Sequence, residues 1–314
     1  MAAWAPRHPG AVPPYTRPVT SSGEGPHANG RGGATDVAPG ILADSTAPGL
    51  VDQLELVWRS LGDLCDTLGE ADWHRPTECP GWSVADQVAH VVGTESMLAG
   101  RPSPEPADGH PPAHVHNDIG RFNEAWIERY RAEDTGRLCA DFRDVTGERL
   151  RRLRAMTEAE LDEPSWTPVG KATYRRFMQV RVFDCWVHEQ DVRLALGRPG
   201  HLDGPAAEQA LDEVVRSLGY VVGKRAGAPD GSLVRLELTG PVARTLDVAV
   251  DGRAAVVAPG RAAPTTTVAM GSDCLLRLAC GRRSPVEALR VGDVTVSGDE
   301  ALGRQVAEHL AFTI

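Results

Sequence analysis

The chain is predicted to be a multidomain α and α+β protein: a helical bundle over residues 50–200, then a smaller α+β domain over 201–314. Three observations carry this. Apolar residues recur at three- and four-residue steps from Leu50 to about residue 196. After Gly204, short alternating runs take over. The first 49 residues follow neither pattern; with eight Pro and eight Gly they bury too little to offset their ordering entropy, so residues 1–49 are expected to be a disordered leader.

Leu54, Val57, Trp58, Leu61, Leu64, Cys65 and Leu68 form one stripe, a helix ending at Gly69. A loop with Trp73, Cys79, Pro80, Gly81 and Trp82 follows. Ser83 with Asp86 three residues later is a capping box, opening a helix over 83–97. Further helices are expected over 117–131, 136–156 and 174–196, the last closed by Gly197 and Pro199. Helices with wide apolar stripes joined this way suggest a bundle. In the second part a helix over 205–223 leads into strands at 233–238, 246–250, 254–257, 265–268 and 294–296, with helices at 272–279 and 300–311 between and after them.

Composition narrows the function. Of 314 residues, 33 are basic and 43 acidic, a net charge of −10 that disfavours phosphate-backbone binding. No segment approaches the roughly 20 unbroken apolar residues of a membrane span. The six cysteines form no C-x-x-C pair and read as packing residues in a reducing compartment, and the N-terminus has no secretory pattern; the cytoplasm is the expected location.

Two helical stretches place ligand-type groups among apolar neighbours. Gln87, His90 and Thr94 share one face of the 83–97 helix. Asp184 and His188, four residues apart, share one face of the 174–196 helix. A carboxylate and an imidazole so placed can hold one metal ion, with His90 as the natural third ligand; two His, one acid and an open position describe a catalytic centre. The same spacing also occurs in ordinary surface and core contacts. His110, His114 and His116, in a Pro-rich loop, read as solvated; Trp82, Cys185 and Trp186 read as core, and Arg149 to Arg154 as a solvated helix face.

The segment Glu78-Cys79-Pro80-Gly81-Trp82-Ser83-Val84 followed by Gln87-Val88-Ala89-His90 resembles a signature of the mycothiol-dependent maleylpyruvate isomerase family. So do His116 to Gly120 with Asn123-Glu124, and Arg181 through Asp191. Gly281-Arg282, Gly292-Asp293 and Val296 to Asp299 are similar to the sterol-carrier-like domain that follows. The family is actinobacterial. The resemblance implies a DinB-like four-helix bundle, then a sterol-carrier-like α+β domain, with metal ligands at His90, Asp184 and His188. Asp184 departs from the family's usual Glu and is one methylene shorter. The implied cofactors are a divalent metal, zinc being the expected ion, and mycothiol as thiol cosubstrate. The implied activity is thiol activation for attack on a small electrophile, as isomerase or S-transferase. Arg282 is the expected catalytic arginine, holding a substrate carboxylate by a bidentate pair. The expected partners are the thiol and a small-molecule substrate, with no nucleic acid or membrane, in a monomer or homodimer. Two readings compete: a non-catalytic metal- or lipid-binding module, and a metal-assisted hydrolase using bound water.

Overall fold

The computed structural model describes residues 37–42, 46–105 and 111–313. Four long helices form a bundle: α1 (Ala47–Cys65), α3 (Val84–Leu98), α5 (Thr135–Ala155) and α7 (Tyr174–Leu196). Their stripes meet in one core that includes Leu54, Leu61, Val88, Val92, Phe142, Val145, Phe177 and Val182. The short α2 (Glu70–Trp73) follows α1, and α4 (Asp118–Arg131) lies along α3. Gly93 makes that approach possible: a Cβ there would come within 2.5 Å of Trp126. Helix ends follow their capping residues. Ser83, Asn117, Asp134 and Thr173 each accept a backbone N–H from the first turn, and Gly197 closes α7 in the left-handed conformation.

Between α5 and α7 the chain makes α6 (Glu158–Leu161) and a hairpin of β1 (Pro164–Thr167) and β2 (Gly170–Thr173). The sequence reading has neither, because the hairpin begins with Pro and shows no apolar alternation.

Helix α8 (Gly204–Tyr220) packs on α1 and α7 on one side and on the second half on the other. It runs into a π turn, Val221–Arg225, where continuous α-helix was expected. The sheet has order β5-β4-β3-β6-β7, formed by β3 (Leu233–Thr239), β4 (Arg244–Asp251), β5 (Arg253–Val257), β6 (Thr266–Gly271) and β7 (Val294–Gly298). β3 and β6 are parallel and the other pairs antiparallel. Its buried side chains include Val234, Leu236, Leu246, Val248 and Val268. Helices α9 (Ser272–Ala279) and α11 (Glu300–Glu308) pack on β6, and α10 (Pro285–Val291), unforeseen from the sequence, packs on β7.

Part of the expected leader is docked. Val37 is buried and bridges Val256 in parallel, and Ala38 donates its N–H to the Val256 carbonyl at 2.8 Å. β5 is an edge strand with backbone groups to satisfy, and residues 37–38 satisfy some of them. Residues 1–36 and 43–45 of the expected leader lie outside the described residues, as does His110. Among the described residues no helix is long and apolar enough to cross a membrane.

Candidate metal centre

The start of α3 is fixed twice. Ser83 and Asp86 close the capping box, and Arg131 from α4 grips Asp86 through Nε at 3.0 Å and Nη2 at 2.9 Å. Just before it, the Cys79-Pro80-Gly81-Trp82 turn uses Gly81 at φ +80°, where a Cβ would strike His114 at 2.7 Å. The turn lays the Trp82 indole against two imidazoles, with ring centroids 5.3 Å from His90 and 5.6 Å from His188. The indole N–H donates to Glu124 Oε1 at 2.8 Å, and His114 Nε2 meets the same oxygen at 2.7 Å. Trp82 is therefore a wall of the site as well as core, and His114 is paired where solvation was expected.

His90 on α3 faces Asp184 and His188 on α7. His90 Nε2 is 3.0 Å from Asp184 Oδ2, and His188 Nε2 is 3.6 Å from Asp184 Oδ1. One ligand atom from each of the three lies within 4.8 Å of the others. The shorter acid therefore reaches both imidazoles. The His side chains are 6% and 8% exposed and Asp184 28%, so the cluster opens to solvent on the carboxylate side. Gln87, one turn before His90, accepts from His188 Nδ1 and donates to Thr77 Oγ1 at 2.6 Å, which leaves His188 Nε2 free to coordinate. Nδ1 of His90 is buried without a partner. Two imidazole nitrogens and a carboxylate converging on an open side fit a divalent ion.

Charge is distributed unevenly around the cluster. Burial pushes the His90 pKa down, and Asp184 only partly offsets it. Burial also opposes charge on His188, but Asp184 and then Asp191 outweigh it, so that imidazole is raised. Asp184 is held well below the usual carboxylate range: burial works against its charge and is overcome by Arg181 and the two imidazoles. Burial pushes the Cys79, Cys185 and Cys280 thiols up to about 12, so they are neutral at pH 7. Cys185 is a packing residue as expected, accepting from Trp58 Nε1 at 3.3 Å.

Arg282 comes from the second half to the rim of this cluster, but its fork is taken. Nε and Nη2 reach Asp191 at 3.0–3.1 Å, and Nη1 donates to the Cys280 carbonyl. Asp191 Oδ2 in turn lies 3.6 Å from His188 Nδ1. Arg282 was expected to hold a substrate carboxylate by a bidentate pair; here that fork is engaged by Asp191, which clamps the second half to α7. A second clamp joins Arg277 of α9 to Glu78 on the loop before α3.

Sequence reasoning missed the buried charges behind the site. Arg149, assigned to a solvated face, is 2% exposed and donates to Glu95 Oε2 at 2.9 Å. Glu95 Oε1 accepts from Arg181 Nε at 2.8 Å, and Arg181 also pairs with Asp184. The signals were present: Phe142, Val145, Thr146, Arg149 and Leu153 share the buried face of α5, and Arg181, Asp184, His188 and Asp191 share one face of α7.

Comparison with known proteins adds a family. Residues 54–193 match the model described as mycothiol maleylpyruvate isomerase N-terminal domain, and residues 208–305 match the MDMPI C-terminal domain. A crystal structure of the mycothiol-dependent maleylpyruvate isomerase aligns over 81% of this chain and 94% of that one, at 17% identity and a TM-score of 0.51. Its histidine-to-alanine mutant gives the same coverage and identity with a TM-score of 0.50. At this identity the likeness speaks for the fold. The sterol carrier protein domain 2 of Helicoverpa armigera covers 34% of this chain and 87% of its own, at 12% identity and a TM-score of 0.26, too distant to carry an argument. No curated protein matches. Matched in both halves by the two domains of one family, the chain belongs to the mycothiol maleylpyruvate isomerase family.

Proposed function

We propose that the chain is a metal-dependent enzyme that activates mycothiol for attack on a small electrophile, by isomerisation or S-transfer. The observation that carries this reading is the convergence of His90, Asp184 and His188 around one solvent-facing point. With burial pushing the Cys79 and Cys280 thiols up, thiolate chemistry at this site requires sulfur from a bound small molecule. His90, Asp184 and His188 would hold the ion, and this donor set suits zinc. A divalent ion held there supplies Lewis acidity that keeps a coordinated thiol deprotonated at neutral pH.

The chain's own residues do the rest. Gln87 fixes the His188 ring, and Trp82 shields both imidazoles from water. Arg282 brings positive charge from the second half to the rim, and delivering it to a substrate carboxylate requires exchange with Asp191. With maleylpyruvate as substrate, the thiolate adds to the cis double bond, the resulting single bond rotates, and thiolate leaves to give the trans product. Such a reaction, using an intracellular thiol, belongs in the cytoplasm. The test is turnover of maleylpyruvate and simple α,β-unsaturated acids with and without mycothiol, before and after chelation and zinc return. Turnover is expected only with both thiol and ion. Turnover without thiol that yields cleaved products would instead indicate hydrolysis by bound water.

A further inference from the structure

The two oxygens of Asp184 have different surroundings. Oδ2 takes both His90 Nε2, at 3.0 Å, and a guanidinium N–H of Arg181, whereas Oδ1 has His188 Nε2 at 3.6 Å. Arg181 cannot swing away, because its other nitrogens are occupied: Nε donates to Glu95 Oε1 at 2.8 Å and Nη2 to Cys185 Sγ at 3.1 Å. Glu95 is fixed by Arg149 Nε at 2.9 Å, and Arg149 Nη2 donates to Tyr174 Oη at 2.8 Å. The side chains of Arg149, Glu95 and Arg181 are at most 3% exposed, so this ladder across α5, α3 and α7 has no water to relax into. It ends on one particular oxygen of the candidate ligand.

We infer that Arg181 is a positioning residue that reserves Oδ2 of Asp184, leaving Oδ1 alone for the ion and one coordination position open for the thiol. A carboxylate that turned both oxygens to the ion would fill that position itself, and zinc readily accepts the extra ligand. The guanidinium also stands close to where a dication would bind, so it weakens metal binding electrostatically. Arg181 thus gives up some metal affinity for an open site. A guanidinium serving only the packing of the bundle would have no such signature.

This inference rests on the metal reading above, and its test separates the two. Zinc affinity is measured by competition with a chromophoric chelator, and mycothiol affinity by calorimetry on the zinc-loaded chain, for wild type and Arg181→Met. The cobalt-substituted forms are titrated with mycothiol and followed in the visible range. In Arg181→Met, zinc affinity is expected to hold or rise, while mycothiol binding falls about tenfold or more and the thiol-induced cobalt band fades. Parallel loss of zinc and thiol binding, or no change in either, overturns the role given to Arg181. A wild-type chain that takes up no zinc or cobalt overturns the metal reading as well. Should Arg181→Met fail to fold by circular dichroism, Arg181→Lys replaces it. Lysine keeps the charge beside Glu95 but cannot fork to Asp184, and the same split is expected.

Discussion

The helices and the sheet of the molecule bury charge in opposite ways. The bundle encloses Glu95, Arg149, Arg181, Glu189 and Asp191 among its helices, together with His90 and His188. The sheet of the second half buries aliphatic side chains, and Asp247 is the one charged residue of its described strands that is buried. Asp247 lies opposite Arg235 on the neighbouring strand, away from the apolar face, and the two form a bidentate pair. Buried ion networks add little net stability, since desolvation offsets their Coulombic gain. Helices that keep so many of them are organised around orienting a few groups, and the sheet around packing.

The largest effect should come from breaking the ladder. Glu95→Ala strands two buried guanidinium groups and is expected to cost about 3–5 kcal/mol in urea unfolding. Glu95→Met with Arg149→Leu removes one of the two stranded guanidinium groups and leaves Arg181 on Asp184 alone, so it should recover about half of that loss. If it does not, the charges serve stability and the contrast between helices and sheet fails. Leu236→Ala in the sheet should cost about 3 kcal/mol through cavity formation, with zinc affinity unchanged. Gly93→Ala drives a methyl into Trp126 and should cost about 1–3 kcal/mol by overpacking, read by thermal melting.

Acidity should separate helices and sheet further. His188 has a raised pKa, so its proton must leave for an ion to bind. Zinc affinity is expected to fall as pH drops through that raised value, by about tenfold per pH unit once one proton must be displaced. Equilibrium competition across pH checks this. Asp247 has a lowered pKa, chiefly through its hydrogen bonds from Arg235. Its stabilising contribution is present above the unfolded carboxylate value and is lost as pH falls through the lower folded one. Asp247→Asn should therefore flatten the acid limb of the stability curve slightly and leave zinc binding unaffected.

Much of this was legible in the sequence where one residue determines one local event. Ser83 with Asp86 set the start of α3, Gly197 the end of α7, and the alternation around Leu236 a strand. His90, Asp184 and His188 could be grouped because helical spacing puts these side chains on one stripe of each helix. What was hidden depends on tertiary contact. Arg149 looks like its exposed neighbours Arg151 and Arg152 until Glu95, 54 residues away, is brought opposite it. Arg282 was recognisable as an arginine near the site, but its engagement by Asp191 arises only when the two halves dock. Val37 docks because edge strand β5 offers unpaired backbone, which no local pattern in a Pro- and Gly-rich stretch reveals.

The most direct measurement is elemental analysis of the chain after zinc reconstitution and desalting, beside His90→Ala prepared identically. About one zinc ion per wild-type chain and essentially none in the folded variant is the expected result. Full metal content in His90→Ala, or a wild-type chain that retains no ion, would contradict a centre built from His90, Asp184 and His188.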